Sequence, residues 1–430
     1  MDAATKSEAK GLHSALRYNF IAIVGNENVR AATAADAIGG VQPKLVIEPG
    51  TASEIAEILR LSNDAGLAVI PRGSGTKLGW GNPPSRADLI LSTARLTEII
   101  EHAWADLTVS VEAGCTIQRL QETLAQHGQR LALDPLWPEK ATIGGVLSTN
   151  DSGTLRLRFG ALRDLIIGAT IALADGTLAS SGGKVVKNVA GYDLPKLVTG
   201  ALGTLGVITR AVFRVHPLPR KTRSFSIPAA NAEETQRLVL TVQDSKLAHT
   251  FLQSHFSDAA PPVTDILFEG IDAGLAAQEA QLRNLSAPAS VKEASTPTWT
   301  AREELWTFSE PASTAMAKIS ILPADMARTM KLMEHISNVH QVRWRALVYA
   351  TGIGWLRLEG KPSSLRGALQ ALRSELEGQG CSAVALHRPE KMSAFDAWGT
   401  AGDALPLMKA VKRQLDPKNT LNPGRFVGGI

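Results

Sequence analysis

The segment Pro71-Arg72-Gly73-Ser74-Gly75-Thr76-Lys77 combines two glycines one residue apart with a guanidinium and two hydroxyls. Glycines let successive backbone N–H groups turn inward around an anion, and Arg72, Ser74 and Thr76 add donors, so the loop suits a phosphate. The run continues Leu78-Gly79, a GxGxxxG spacing that fails the dinucleotide fingerprint, and no GxxxxGK[ST] occurs anywhere in the chain. Alone, the loop reads equally well as a turn without a ligand. A second small-residue segment follows Asp134-Pro135: Ala141-Thr142-Ile143-Gly144-Gly145, then Ser148-Thr149-Asn150-Asp151-Ser152-Gly153 and Arg158-Phe159-Gly160. A third runs from Lys187-Asn188-Val189-Ala190-Gly191-Tyr192-Asp193-Leu194 to Gly203-Thr204-Leu205-Gly206-Val207-Ile208-Thr209. Small residues recur wherever bulk would block a flat ring or a diphosphate, which is more than turns require.

These loops need rigid elements behind them. Lys44 to Pro49 reads as a strand, followed by the capping box Thr51-Ala52-Ser53-Glu54 and a helix with Ile55, Ile58, Leu59 and Ser62 on one face, ending near Gly66. Leu67 to Gly73 reads as the next strand, so the first glycine loop leaves a strand end. Leu107 to Glu112 is a further strand that leads through Gly114 into a helix with Ile117, Leu120 and Leu124 on its apolar face, stopped by Gly128. Alternating strands and amphipathic helices to about Pro219 predict an α+β unit. Two prolines and a basic cluster at 216–221 mark a boundary. Beyond it, Ile266-Leu267-Phe268-Glu269-Gly270 and Trp355-Leu356-Arg357-Leu358-Glu359-Gly360 each end a strand and precede a helix, predicting a duplicated unit in an antiparallel sheet backed by helices. The stretch 286–300 reads as a loop, and Pro417, Pro423 and Gly424 bar a long helix at the C-terminal end.

Composition narrows the function classes. With 430 residues, 44% hydrophobic and 20% charged, the chain is long enough for two or three ordinary cores. A net charge of +4, evenly spread, excludes a dedicated nucleic-acid binder but leaves room for an anionic ligand. Cys115 and Cys381 are too few and too far apart for a zinc ribbon or an iron-sulfur cluster. No signal-peptide pattern or 18-residue apolar run occurs, so a cytoplasmic location is expected.

The ordered set PRGSGT, TIGG with STNDSG, KNVAGYDL with GTLGVIT, and LNPGR near the C-terminus resembles the vanillyl-alcohol-oxidase/p-cresol-methylhydroxylase (VAO/PCMH) type of flavoprotein over nearly the whole chain. Within that superfamily the KNVAGYDLPKL wording and the absence of a His-Glu-His run are similar to the FAD-binding (GlcE) subunits of bacterial three-subunit glycolate oxidases. The resemblance implies an α+β fold: a segment 1–40, a PCMH-type FAD-binding domain of two subdomains at 41–219, an α+β cap with an antiparallel sheet at 220–387, and a segment 388–430 returning to the flavin. It puts Pro71, Arg72, Gly73, Ser74, Gly75 and Thr76 on the FAD diphosphate. Pro135, Thr142, Ile143, Gly144, Gly145, Ser148, Thr149 and Gly153 would follow along diphosphate, ribityl chain and ring. Gly206, Val207 and Ile208 would meet the cofactor through main-chain groups, and Asn422 would approach the ring. Family members that attach the flavin covalently do so through a His in the first loop or a Cys near the second; neither is present, so FAD is expected to be noncovalent.

Oxidation of a 2-hydroxy acid by flavin needs a base for the hydroxyl proton and a cation for the carboxylate. His387 and Arg388 are the only adjacent candidates, and the same pair reads more simply as surface residues. Tyr192 and Asp193 read as packing and capping a helix; Lys184 and Lys187 read as solvated, with phosphate contact the alternative; Trp299 and Trp306 read as packing and Arg302 as a surface charge, with a place on the cap side of a cleft the alternative for all three. No metal ligands are expected. The resemblance therefore implies partners: a larger flavin and metal catalytic subunit (GlcD-like), an iron-sulfur subunit (GlcF-like) that also supplies any contact with the inner membrane, and a small 2-hydroxy acid substrate. The competing expectations are a stand-alone FAD-dependent dehydrogenase and a scaffold that keeps the fold without the chemistry.

Overall fold

The computed structural model describes residues 16–183, 192–294 and 296–430, so Lys184, Lys187 and most of the KNVAGYDL run lie outside the described residues. The first sheet contains β1 (Val29–Ala31), β2 (Leu45–Ile47), β3 (Val69–Arg72) and β4 (Leu89–Ser92) in the order β1-β2-β4-β3. β2 and β3 both run parallel to β4, while β1 is antiparallel to β2. Helix α1 (Ala52–Asp64) begins at Thr51, whose Oγ1 accepts a hydrogen bond from Glu54 N, and the Glu54 carboxylate accepts one from Gly50 N. Its buried Ile55, Ile58 and Leu59 pack on Ile47, Val69 and Leu91, as the apolar spacing predicts.

The second sheet is antiparallel, in the order β5-β6-β10-β8-β9: Ile99–Ala103, Thr108–Glu112, Val207–Arg214, Ile166–Ala172 and Leu178–Gly182. Helices α2 (Ile117–Ala125) and α3 (Ile143–Thr149) share its core. A short ribbon of β7 (Gln129–Arg130) and β11 (His216–Pro217) closes this unit at the predicted boundary.

The cap is a single eight-stranded antiparallel sheet. Its first half comprises β12 (Lys221–Pro228), α4 (Ala232–Asp244), β13 (His249–Ser257), β14 (Val263–Gly270), α5 (Asp272–Ser286) and β15 (Lys292–Glu293). The second half repeats the order with β16 (Thr314–Ser320), α6 (Met326–His340), β17 (Arg343–Tyr349), β18 (Ile353–Glu359), α7 (Pro362–Glu377) and β19 (Ser382–His387). The spatial order β15-β12-β14-β13-β17-β18-β16-β19 is palindromic, with the halves joined through β13 and β17. The two Gly-terminated runs seen in sequence are β14 and β18, so the duplication is real and covers the whole cap. Beyond it, α8 (Leu405–Leu415) precedes the Pro-rich tail.

Three expectations change. Within the segment 1–40, the described residues from 16 on are not separate from the FAD-binding unit: β1 is part of the first sheet, and Phe20 is fully buried in that core. Within 286–300, β15 adds an edge strand to β12. Tyr192 is 89% exposed rather than packed, while Asp193 does cap the following turn through Lys196 N.

Asp36 explains why the N-terminal segment matters to the first glycine loop. Its carboxylate accepts from Arg30 at 2.7 and 2.9 Å, from Thr33 N at 2.9 Å and from Arg72 at 2.8 Å. The Arg30 hydrogen bond foremost, with the Thr33 amide and Arg72 adding to it, holds Asp36 well below the usual carboxylate range. Asp36→Ala should cost about 2–3 kcal/mol, against about 0–1 kcal/mol for removing the exposed Lys221–Asp272 pair. The Asp36 contribution is full above roughly pH 4 and lost below it; urea unfolding of both variants at pH 7 and pH 3 reads the difference.

Candidate functional site

The first glycine loop leaves the end of β3, and β4 lies beside it in parallel register. Gly73 is required by its neighbour: a Cβ there would sit 2.1 Å from Thr142 Oγ1. The first two loops thus approach more closely than any side chain would allow. Thr142 caps α3, its Oγ1 accepting from Gly145 N at 3.3 Å. On α3 the small face of Gly144, Gly145, Ser148 and Thr149 looks outward, while Ile143, Val146 and Leu147 are buried in the core. The third loop docks on the second through Leu202 N to Ser148 O at 2.8 Å. The C-terminal tail then closes the ring, with Asn422 N donating to Val69 O at 3.0 Å and Asn422 Nδ2 to Leu202 O at 2.5 Å.

Every residue expected on the cofactor, apart from Pro135, Ile143 and Gly153, lines the one cavity these loops enclose. Ile143 faces the core behind α3, and Pro135 is buried away from the opening. Gly153 serves a different close approach, since a Cβ there would meet Asp134 Oδ2 at 2.3 Å. Lys77, Leu78, Thr93, Leu202, Gly203 and Arg425 also line the cavity and were not among the residues expected on the cofactor. Arg425, buried, spans the tail and the first loop by donating to Leu78 O and Trp80 O. The residues present fit an FAD. The walls are glycine-rich, Arg72 supplies a cation, and Asn422, which lines the cavity, has a buried Oδ1 with no hydrogen-bond partner among the described residues, leaving an acceptor for a ligand donor.

Beneath the loops lies a buried ionic system. Asp151 is fully buried; its Oδ2 lies 3.2 Å from Lys77 Nζ and accepts from Leu136 N, while Oδ1 accepts from Arg302 at 3.0 Å. Lys77 belongs to the first loop, Asp151 to the second, and Arg302 to the cap. The expectation of Arg302 as a surface charge is therefore overturned: it is the cap's ionic anchor. Trp306 joins it, stacking on Trp80 at 5.9 Å between centroids, and Trp299 packs edge-on against Phe251. Asp134, pushed up to about 6 by burial, accepts from Gly153 N and Leu155 N and pins the far side of the second loop.

Thr149 and Leu202 also line a second cavity, of 590 Å³, between the FAD-binding unit and the cap sheet. Lys318 from β16 and Arg156 from the second loop are among its walls. Lys318 lies 5.7 Å from the Trp355 ring and forms no salt bridge among the described residues. Neither was visible as a site residue in sequence, because β16 reads as an ordinary strand and Arg156 as one of several arginines. His387 and Arg388 line neither cavity. His387 Nε2 lies 3.3 Å from Pro311 O, and Arg388 ties the cap to the first loop by donating to Gly81 O at 2.6 Å. Among the described residues no three His, Cys, Asp or Glu side chains converge as a metal site, and no helix is long and apolar enough to cross a membrane.

The contact between Gly73 and Thr142 generates a test. Gly73→Ala should weaken flavin binding at least tenfold because one loop must retreat, whereas Gly79→Ala, with nothing within 4 Å of the added carbon, should not. Flavin content after desalting, with circular dichroism as the folding control, reads both variants.

A family model described as an FAD binding domain matches residues 43–182. A D-lactate dehydrogenase of Archaeoglobus fulgidus is 29% identical over 89% of this chain and 91% of its own length. The glycolate oxidase subunit GlcD of Bacillus subtilis is 24% identical over 89% of each chain, and a D-2-hydroxyglutarate dehydrogenase of Xanthomonas citri pv. viticola 25% over the same shares. The solved structure of p-cresol methylhydroxylase superposes with a TM-score of 0.77 over 96% of each chain at 14% identity, a likeness of fold. With the domain match on the first two loops and the full-length likenesses around it, the chain carries an FAD binding domain within a VAO/PCMH-type fold, and it is an FAD-dependent oxidoreductase.

Proposed function

We propose that the chain is the FAD-binding subunit of a glycolate-oxidase-type complex and that it supports oxidation of a 2-hydroxy acid. The observation that carries the reading is the junction at Thr149 and Leu202, which line both the cofactor cradle and a cavity walled by Lys318 and Arg156. Relatives named for lactate, glycolate and hydroxyglutarate support the substrate class. Bound FAD supplies hydride acceptance. Arg72 through Thr76 would hold its diphosphate, with Gly145, Ser148 and Thr149 along its length and Asn422 toward the ring.

Arg156 offers a permanent charge to the substrate carboxylate. The cavity wall holds no His, Asp or Glu among its described residues, so Lys318 is the group placed to take a hydroxyl proton. Burial lowers the ammonium to about 8, with Asp151 opposing the shift and Arg156 and Arg302 reinforcing it. The neutral amine is the active form, so turnover should fall about tenfold per pH unit below 8 and level off above it. Lys318→Met should abolish that slope while leaving flavin content unchanged; an unaltered pH profile would remove Lys318 from the mechanism.

The cavity walls likewise contain neither His nor Cys among the described residues, which supports noncovalent FAD. Acid precipitation should leave the yellow cofactor in the supernatant and none on the polypeptide. Electrons must then leave the chain, and its two lone cysteines build no cluster, so an iron-sulfur subunit is the acceptor and a larger GlcD-like flavin subunit its neighbour. Contact with the inner membrane comes through these partners. Exposed Leu407 and Met408 on α8 offer an apolar contact. Gentle native purification should bring iron with this chain; a lone monomer that reduces dye with D-lactate would favour the stand-alone dehydrogenase, which the full-length likeness to the Archaeoglobus enzyme supports.

A further inference from the structure

The second cavity is two-natured. Ile353, Val384 and Leu386 of the cap sheet face Met408 and Phe426 across it, with Trp80 at one side. Its charged wall side chains are Lys318, Arg156 and Arg163, with no Asp or Glu among the described ones. Arg163 is exposed and already donates to Thr199 O, which leaves Arg156 and Lys318 as the inner polar pair. Glycolate has no side chain to set against the apolar part of this wall, and a second carboxylate carried toward Ile353, Val384 and Leu386 would be desolvated against apolar side chains.

We propose that this cavity takes a 2-hydroxy monocarboxylic acid with a bulky apolar tail, branched aliphatic or aromatic, in preference to glycolate or a dicarboxylate. The inference rests on the 2-hydroxy acid reading above and narrows it. One carboxylate meets Arg156, the hydroxyl lies toward Lys318, and the tail covers Val384, Leu386 and Ile353. The apolar wall of Ile353, Val384 and Leu386 is longer than a two-carbon acid can cover. Each methylene transferred from water to such a wall is worth roughly a fourfold gain in affinity, so a four-carbon tail should bind about 250-fold more tightly than glycolate.

The test uses the flavin-loaded full chain titrated with glycolate, D-lactate, 2-hydroxyglutarate, 2-hydroxyisocaproate and mandelate. Binding is followed by tryptophan fluorescence and by perturbation of the flavin absorption band. The two tailed acids are expected to bind about 250-fold more tightly than glycolate, or more, and Val384→Ser, with flavin content retained, to erase several-fold of that preference. Glycolate or 2-hydroxyglutarate binding as tightly as the tailed acids overturns the proposal while leaving the hydroxy acid reading intact. Isocaproate lacking the hydroxyl is the control. If it binds as well as its hydroxylated counterpart, the apolar carboxylate site stands and the hydroxy acid reading fails.

Discussion

Asp151 is the point on which the rest of the structure turns. A fully buried carboxylate is tolerated only when its charge is met, and here two cations from two different parts of the chain meet it: Lys77 and Arg302. Removing either partner from such an arrangement typically costs about 3–5 kcal/mol, because a buried charge is left uncompensated. The consequence is geometric. Lys77 cannot drift without exposing Asp151, so the first glycine loop is held against the second; Arg302 cannot leave, so the cap is held over both. The cradle and the cavity above it are therefore set by one ionic junction rather than by the glycines that line them.

Aromatic packing surrounds this junction and keeps water from it. Trp80, Trp137, Trp306 and Trp355 form a continuous set, with Lys77 lying 5.3 Å from the Trp137 ring and Arg302 4.8 Å from Trp355. A cation against an aromatic face recovers part of what it loses on leaving water. The same low-polarity surroundings draw Lys318 toward neutrality, so the features that seal the domain junction also tune the group nearest the substrate cavity. Arg130 and Glu269, at 2.6 and 2.8 Å, form a second tie between the FAD-binding unit and the cap.

The cap's duplication has a functional side. A palindromic eight-stranded sheet is wide enough to roof both loops, and its helices cover the face turned away from them. Only one half bears on the cavity: β16, β18 and β19 supply Lys318, Ile353, Val384 and Leu386. The first half contributes mainly breadth and the Glu269 tie, so the two copies share an architecture but not a task.

Local chemistry in the sequence was enough to determine the elements and the loops. Thr51 and Glu54 announce α1, the period of Ile117, Leu120 and Leu124 announces α2, and the glycine runs announce a cradle, because capping, amphipathicity and steric smallness act over a few residues. It also announced the duplication in the cap, from two short runs that prove to be β14 and β18. Sequence spacing could not separate Gly145 from Gly153 or Ile143 from Thr142, because which face of α3 looks outward depends on the sheet packed behind it. Nor could it find Asp36, Asp151, Arg302 or Lys318. Each owes its role to a partner or wall distant along the chain, as when Arg302 pairs with a carboxylate 151 positions away. Burial, charge pairing and the depressed basicity of Lys318 are properties of a surrounding that exists only once cap and cradle have closed, and that closure is what the tertiary structure alone decided.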